Sequence, residues 1–193
     1  MTALLTSFLL VGIAEMADKT QLLTLCLTCK YPPRKVLAGV AVAIAILNLV
    51  AVLVGGFAGR LLPTTPINIV AGILFVAFGL WALLSRTEDT DEEACDTTPG
   101  RGIGGSAILT VTAAFLVAEV GDKTQLATLS LAARFEAFFA VWLGASLGML
   151  LANGLAIAGG VMLSTRIPEA ALKRVSGALF IAFGVWTLLE VLL

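Results

Sequence analysis

The sequence predicts an all-α polytopic membrane protein, with six transmembrane helices arranged as two inverted repeats of three helices. The chain has 193 residues, of which 59% are apolar and only 13% charged. Its uncharged runs are long enough to cross a bilayer, which takes about 20 helical residues. A short charged motif occurs twice, once in each of two similar halves. Together these features predict the fold class.

The apolar residues form six runs that short polar segments separate. A transmembrane barrel would instead show segments of about ten residues in which apolar and polar side chains alternate, and the sequence has no such alternation. The predicted spans are Thr2–Cys29, Val36–Ala58, Ile67–Ser85, Gly104–Ala133, Ala137–Ser164 and Ala170–Leu193.

The two halves correspond over most of their length. The offset between equivalent residues is 104 in the motif (119 − 15) and 105 beyond it (153 − 48), and the segment 75–81 reappears as 180–186. We therefore predict a first repeat at 1–85, an acidic linker at 86–104 and a second repeat at 105–193. A repeat with three spans ends on the opposite side of the membrane, so the second repeat is expected to be inverted.

The basic residues predict the orientation. The loops after the first, third and fifth spans carry eight lysines and arginines, and the opposite loops carry two. By the positive-inside rule, the eight-residue side is cytoplasmic, which places the linker inside and both termini outside. The first basic residue is Lys19, so no cleavable signal peptide is expected. The acidic linker is interpreted as a solvated connection, with weak cation collection as the alternative.

The repeated motif reads Glu-Met-Ala-Asp-Lys-Thr at 15–20 and Glu-Val-Gly-Asp-Lys-Thr at 119–124. A charge in mid-membrane costs about 2.5–3.5 kcal/mol on an insertion scale. These side chains are therefore expected to face each other or a watery cavity, where ionisable residues are usually functional. Positions i and i+3 are neighbours on a helix, so the two acids of each copy are expected to share one face.

Two converging motifs would form a cage of carboxylate and amide oxygens. Such donors suit Ca²⁺, Mn²⁺ and Mg²⁺, and the absence of histidine excludes imidazole sites. Four acids and two lysines sum to −2, which one divalent cation would neutralise. The predicted cation ligands are Glu15, Asp18, Gln21, Glu119, Asp122 and Gln125. The predicted supporting residues are Lys19, Thr20, Lys123, Thr124, Asn48 and Asn153.

Some of these roles have two interpretations. The asparagines either bond between helices or take part in the site, and the threonine hydroxyls either bind the cation or bond to a helix carbonyl. Gly121 is expected to let its helix unwind, whereas Ala17 at the matching place is less permissive, which predicts asymmetry between the halves. Cys26 and Cys29 have a redox spacing, but packing is preferred over thiol chemistry or soft-metal capture.

The doubled acids suggest a mechanism. Carboxylates in close proximity repel one another and favour proton uptake, so protons and metal would compete for the same oxygens. Competition combined with alternating access is sufficient for cation/proton exchange. The alternatives are an exporter of organic cations or amino acids, an intramembrane aspartyl protease suggested by Gly121-Asp122, and a salt bridge that only joins helices.

At the motif the chain resembles a family of calcium/manganese cation/proton exchangers, which includes Golgi and chloroplast transporters and bacterial manganese exporters. The family pattern is Glu-x-Gly-Asp-(Lys/Arg)-(Thr/Ser), twice in six spans. The second copy matches it at every specified position, and the first departs only at Ala17. The resemblance implies that Glu15, Asp18, Glu119 and Asp122 bind the cation.

The same resemblance implies export of Mn²⁺, with Ca²⁺ second, from a bacterial inner membrane. The metal is then the transported substrate, and no cofactor or enzymatic activity is expected. The expected partners are a divalent cation, protons and the lipid bilayer, and no nucleic acid. The sequence leaves the proton stoichiometry and the oligomeric state undetermined.

Overall fold

The computed structural model describes residues 1–16, 20–61, 63–84, 106–164 and 169–192. This part of the chain is all helical, with no strand, as the sequence predicts. The helices are α1 (Thr2–Glu15), α2 (Thr20–Lys30), α3 (Pro33–Leu61), α4 (Thr64–Leu84), α5 (Ala107–Glu119), α6 (Lys123–Phe135), α7 (Phe138–Ser164) and α8 (Glu169–Leu192). The predicted linker at 86–104 lies outside the described residues, so the division into repeats stays a prediction.

Two of the predicted spans contain more than one helix of the described residues. The predicted fourth span contains two helices, α5 and α6, and the predicted first span contains α1 and α2, with 17–19 outside the described residues. Helix α1 runs only from Thr2 to Glu15. At the usual helical rise, a helix of this size is too short to cross the hydrocarbon core of a bilayer by itself. The six-span arrangement therefore stays a prediction.

Helix α3 and the stretch Phe138–Ala158 of α7 are long and apolar enough to cross a membrane. The structure also has shorter apolar stretches, which are Thr2–Glu15, Thr65–Trp81, Ala107–Glu119 and Gly177–Val191. On α3 the outward side chains are large and apolar, including Val42, Ile46, Val50 and Phe57. A continuous exposed apolar surface of this kind is typical of contact with lipid.

Equivalent helices make equivalent contacts. Helix α1 packs against α7, and α5 packs against α3. A Cβ atom added at Gly144 would lie 2.4 Å from the carbonyl oxygen of Leu4, and one added at Gly39 would lie 2.9 Å from that of Ile108. Gly39 and Gly144 are equivalent residues of the two halves, and so are their partners Ile108 and Leu4. Close backbone approach at small residues is a usual form of helix packing in membranes.

The last helices of the two halves, α4 and α8, pack against each other. A Cβ atom at Gly184 of α8 would lie 2.8 Å from the carbonyl oxygen of Gly72 of α4, and one at Gly79 would lie 2.6 Å from that of Gly177. Phe75 and Phe180, which are equivalent by sequence, stack with ring centroids 5.9 Å apart. The α4–α8 interface therefore joins equivalent surfaces.

The end of α6 is tied to α8 by one arginine. Arg134 donates to the hydroxyl of Thr187 and pairs with Glu190, and its guanidinium lies 5.2 Å from the centroid of the Phe183 ring. The equivalent position to Glu190 in the first half is Ser85 by sequence. The acid of this cluster is therefore particular to the second half.

The second motif forms a turn between two helices. Helix α5 ends at Glu119, Val120 is extended (φ −60°, ψ 119°), and Gly121 has φ +85°. The amide of Asp122 donates to the carbonyl of Glu119 over 3.1 Å. This is a type II turn, whose third position requires a positive φ and favours glycine. The expectation that Gly121 unwinds its helix is confirmed.

Asp122 begins the next helix. Its backbone is extended and its carboxylate accepts the backbone N–H of Thr124, as an N-cap residue does. The expectation that Glu119 and Asp122 share one helical face is therefore wrong, because the helix ends between them. The corresponding expectation for Glu15 and Asp18 falls on residues outside the described part of the chain.

The predicted asymmetry between the halves is confirmed at one described position. Met16 keeps a helical backbone (φ −61°, ψ −17°), whereas its equivalent Val120 is extended. The sequence difference beside them is Ala17 against Gly121. Glycine adopts the positive φ of the turn without the steric cost that a Cβ atom brings.

Two adjacent glycines of α3 test the packing. A Cβ at Gly55 would lie 2.2 Å from the carbonyl oxygen of Leu129 in α6, whereas a Cβ at Gly56 would meet no atom within 4 Å. We expect Gly55→Ala to destabilise the protein by about 1–3 kcal/mol through overpacking. Thermal unfolding in detergent measures this. Gly56→Ala is the control. An equal loss of stability in both variants would contradict the close packing of Gly55 against α6.

Gly121→Ala tests the turn. No neighbouring atom lies within 4 Å of an added Cβ, so the cost comes from the backbone alone. We expect a loss of stability of about 1–2 kcal/mol, the cost of a left-handed backbone for a residue with a Cβ. Gly154→Ala, which is equally open but lies inside α7, is the matched control for unfolding measurements. An unchanged free energy of unfolding in Gly121→Ala would contradict the positive φ of this turn.

Candidate cation site

The best-defined part of the candidate site surrounds Glu15. This carboxylate lies at the end of α1 and has no exposed surface. Its Oε1 accepts the hydroxyl of Thr20 over 2.9 Å and Nδ2 of Asn153 over 3.0 Å. Thr20 begins α2, whereas Asn153 belongs to α7 of the other half. One acid of the first motif is thus held by groups from both halves.

Asn153 is itself held in a single orientation. Besides its bond to Glu15, Nδ2 donates to the carbonyl of Met149 over 3.1 Å. Its Oδ1 accepts the hydroxyl of Thr24 over 2.9 Å. The amide is fully buried, so it must satisfy its polar atoms within the protein, and these three bonds do so. Of the two interpretations of this asparagine, the structure supports both bonding between helices and contact with the site.

An equivalent pair lies around Asn48. Its Oδ1 accepts the hydroxyl of Thr128 over 3.2 Å. Thr128 is the equivalent of Thr24, just as Asn48 is the equivalent of Asn153. Each threonine therefore donates to the asparagine of the opposite half. The sequence prediction missed both threonines, although each lies one helical turn after a motif threonine and repeats at the motif offset.

The amide hydrogens of Asn48 have different partners from those of Asn153. Nδ2 of Asn48 donates to the hydroxyl of Ser146 over 3.3 Å and to the sulfur of Met149 over 3.5 Å. The hydroxyl of Thr128 also donates to its own helix, to the carbonyl of Thr124 over 2.9 Å. The side-chain oxygens of the two asparagines thus accept equivalent hydrogen bonds from threonine. Their side-chain nitrogens donate to different partners.

The second motif places its polar groups around the turn. Glu119 is buried at the end of α5, with 1% of its surface exposed. Oδ2 of Asp122, which is partly exposed, accepts the backbone N–H and the hydroxyl of Thr124 over 3.4 and 3.3 Å. Lys123 starts α6 and is also partly exposed. The threonine here bonds to the motif acid.

The two glutamines bond to the backbone at the helix ends. Oε1 of Gln125 accepts the N–H of Gly121 over 2.7 Å, and Nε2 of Gln21 donates to the carbonyl of Glu15 over 3.3 Å. The sequence predicts them as cation ligands. In this conformation Gln21 bonds to the last carbonyl of α1, and Gln125 bonds to the N–H of the turn residue Gly121.

The described acids do not form the predicted cage in this state. Within the ranges that the structure describes, no three acidic or cysteine side chains are grouped closely enough to hold one metal ion. Asp18 and Lys19 lie outside those ranges. Cys29 is exposed with a free thiol, so Cys26 and Cys29 are not bonded to each other. Convergence of both motifs on one ion stays a prediction.

Chemically, the arrangement presents a buried carboxylate among hydroxyl and amide groups inside an apolar protein. An ionised carboxylate that is removed from water is costly unless it is paired or hydrogen-bonded. A bound proton or a bound cation reduces that cost, and the oxygen atoms around Glu15 are hard donors. The site therefore has the chemistry to take either a proton or a hard divalent cation.

The chain matches a protein-family model described as "Divalent cation/proton antiporter GDT1" over residues 3–90 and 107–193. It is 34% identical to the GDT1-like protein sll0615 of Synechocystis, covering 97% of this chain and 98% of that protein. It is 30% identical to a protein of Vibrio cholerae named "Putative manganese exporter", covering 97% and 90%.

A plant relative is also similar. The chloroplastic protein PAM71 of Arabidopsis thaliana is 31% identical, over 96% of this chain and 56% of that protein. No solved structure is significantly similar to the chain. The resemblance that the doubled motif indicates is confirmed by a match that covers both halves. The chain therefore belongs to the GDT1 family of divalent cation/proton antiporters.

Proposed function

We propose that this antiporter exports Mn²⁺ from the cytoplasm, with Ca²⁺ as its second substrate, in exchange for protons that enter from outside. The observation that carries the proposal is Glu15, a fully buried carboxylate that groups from both halves contact. A proton and a divalent cation compete for such a group, and that competition couples their opposite movements. The name of the Vibrio cholerae relative supports manganese as the substrate and export as the direction.

We propose that the two motifs bind the cation together. The acids Glu15 and Glu119 are both buried at the ends of apolar helices, and Asp122 lies at the turn after Glu119. Asp18 enters the proposal from the sequence alone. Because the described acids do not form one group, the proposal requires that the cation draws the motifs together. The complete proposed ligand set is Glu15, Asp18, Gln21, Glu119, Asp122 and Gln125.

The remaining motif residues have supporting roles in this proposal. Lys19 and Lys123 compensate the acids when no metal is bound and move aside when it enters. Thr20 and Thr124 orient the motif acids, as their hydroxyl bonds to Glu15 and Asp122 suggest. When the glutamine side chains rotate to bind the cation, they give up their hydrogen bonds to the backbone of Glu15 and Gly121.

We propose that the halves are inverted repeats that rock against each other. Three kinds of equivalent contact support this, namely the glycine contacts of α1–α7 and α3–α5, the crossed threonine–asparagine pairs, and the stack of Phe75 on Phe180. Equivalent elements related by an axis in the membrane plane can exchange conformations, which opens a midplane site to either side in turn.

The family supports divalent cation exchange over the alternatives. Membership of a transporter family excludes the intramembrane protease interpretation, and the description of the family specifies a divalent cation rather than an organic cation or amino acid. We retain divalent cation exchange as the single function.

Transport in proteoliposomes tests the exchange. We expect Mn²⁺ entry to be accompanied by proton exit, so that the lumenal pH rises. Glu15→Gln and Glu119→Gln each remove a proposed ligand and are expected to lower Mn²⁺ transport by about a hundredfold or more, since even the outer groups of metal sites contribute roughly 10–100-fold. Glu136→Gln is the matched control, because Glu136 is exposed in the loop after α6.

The outcomes separate the parts of the proposal. Cation entry without proton exit would contradict the exchange, and faster transport of Ca²⁺ than Mn²⁺ would contradict the substrate order. Full activity in both glutamine variants would contradict the site.

We also propose that the protein lies in a bacterial inner membrane with both termini outside, which the distribution of lysine and arginine supports. Reporter domains that are active only in the cytoplasm test this orientation. We expect no signal from fusions at residues 1 and 193, and a strong signal from an insertion in the 86–104 linker. A cytoplasmic signal from either terminus would contradict the orientation.

A further inference from the structure

We infer that Asn153 and Asn48 are positioning residues that hold the two motif glutamates in alternation. In the state described here Asn153 holds Glu15, and in the opposite state Asn48 holds Glu119. The inference rests on the proposed alternating exchange and adds to it the groups that distinguish the two states.

The first observation is the equivalence of the two asparagines. Both are buried, with at most 1% of their surface exposed, and each accepts a hydroxyl hydrogen from the threonine of the opposite half. These bonds fix each asparagine beside the motif of the half that it does not belong to. Asn153 reaches Glu15 in this way, and the equivalence of the two halves leads us to expect the same relation between Asn48 and Glu119.

The second observation is that the donor bonds differ. Asn153 donates to the carboxylate of Glu15 over 3.0 Å, a charge-assisted bond when that acid is ionised. Asn48 instead donates to Ser146 and to the sulfur of Met149, over 3.3 and 3.5 Å. Neutral hydroxyl and thioether acceptors are weaker than a carboxylate. The bonds of Asn48 are thus the more easily exchanged.

The third observation lies in the sequence. By the repeat offset of 105 (153 − 48), Ser146 corresponds to Ala41 and Met149 to Ile44. Neither alanine nor isoleucine has a side-chain acceptor. The alternative acceptors therefore exist for Asn48 alone, and Asn153 has no equivalent side-chain acceptors at these positions of α3. This explains why the described state is the one in which Asn153 holds a glutamate.

The fourth observation concerns the threonines. The hydroxyl of Thr128 has one hydrogen and two acceptors, the carbonyl of Thr124 over 2.9 Å and Asn48 over 3.2 Å. The hydroxyl of Thr24 donates to Asn153 over 2.9 Å. Asn48 is therefore the less firmly held of the two. Rotation of its amide toward Glu119 requires only the exchange of weak bonds.

The test compares the two faces of the membrane. When only a fraction of the protein is in the conformation that binds the cation, the apparent dissociation constant equals the intrinsic constant divided by that fraction. Apparent KM values for Mn²⁺ are measured from each side in vesicles of one orientation, and their ratio reports the balance between states. Asn153→Ala removes a bond of the described state, whereas Asn48→Ala removes the proposed bond of the opposite state.

We expect the two single variants to shift the KM ratio in opposite directions. The shift is about tenfold for Asn153→Ala, because its lost bond is to a charged group. The double variant is expected to return toward the ratio of the unaltered protein. Ser146→Ala, which makes α7 resemble α3 at this position, is expected to shift the ratio in the same direction as Asn153→Ala. Because Ser146→Ala removes only one hydroxyl group, it still tests the inference if an asparagine variant does not fold.

Trp142→Phe is the matched control. The indole N–H donates to the carbonyl of Ala45 over 3.1 Å, so this variant also loses a hydrogen bond between α7 and α3, and its KM ratio is expected to stay unchanged. Shifts in the same direction for both asparagine variants, or in neither, would overturn the inference. If the unaltered protein moves no Mn²⁺ against protons, the proposed function fails instead.

Discussion

The structure depends on keeping carboxylates inside an apolar helical protein. Glu15 has no exposed surface, and its Oε1 accepts hydrogen bonds from a hydroxyl of its own half and an amide of the other. Because an unsupported buried charge is costly, the helices that carry these groups must stay in contact. Glycines at the α1–α7 and α3–α5 contacts let the backbones approach closely enough for such short side chains to meet.

The repeated motif is best understood as local backbone structure as well as chemistry. In the second copy the glutamate ends a helix, Gly121 makes the turn and Asp122 caps the next helix. The residues that give the second motif its charge thus also end one helix and begin the next. A broken helix exposes polar backbone groups inside a membrane only where other protein groups satisfy them, and Gln125 does this at Gly121.

Several features could be predicted because they depend on local chemistry. Gly121 indicates its turn, since few other residues tolerate its backbone, and the doubled acids indicate a membrane transporter. The common face predicted for Glu119 and Asp122 is wrong for a related reason, because it requires an uninterrupted helix across a glycine followed by a capping residue. Thr24 and Thr128 were missed because a threonine in an apolar helix usually bonds to its own backbone.

By itself, the sequence determined the helical class, the two corresponding halves and the buried acids, because composition and repeats are properties of the chain. It also determined the asymmetry at Ala17 and Gly121. Only the tertiary structure decided that Thr24 meets Asn153, 129 residues away, and that Asn48 contacts Ser146 and Met149. Such bonds depend on which helix faces pack together, and packing between distant helices is not encoded by local pattern.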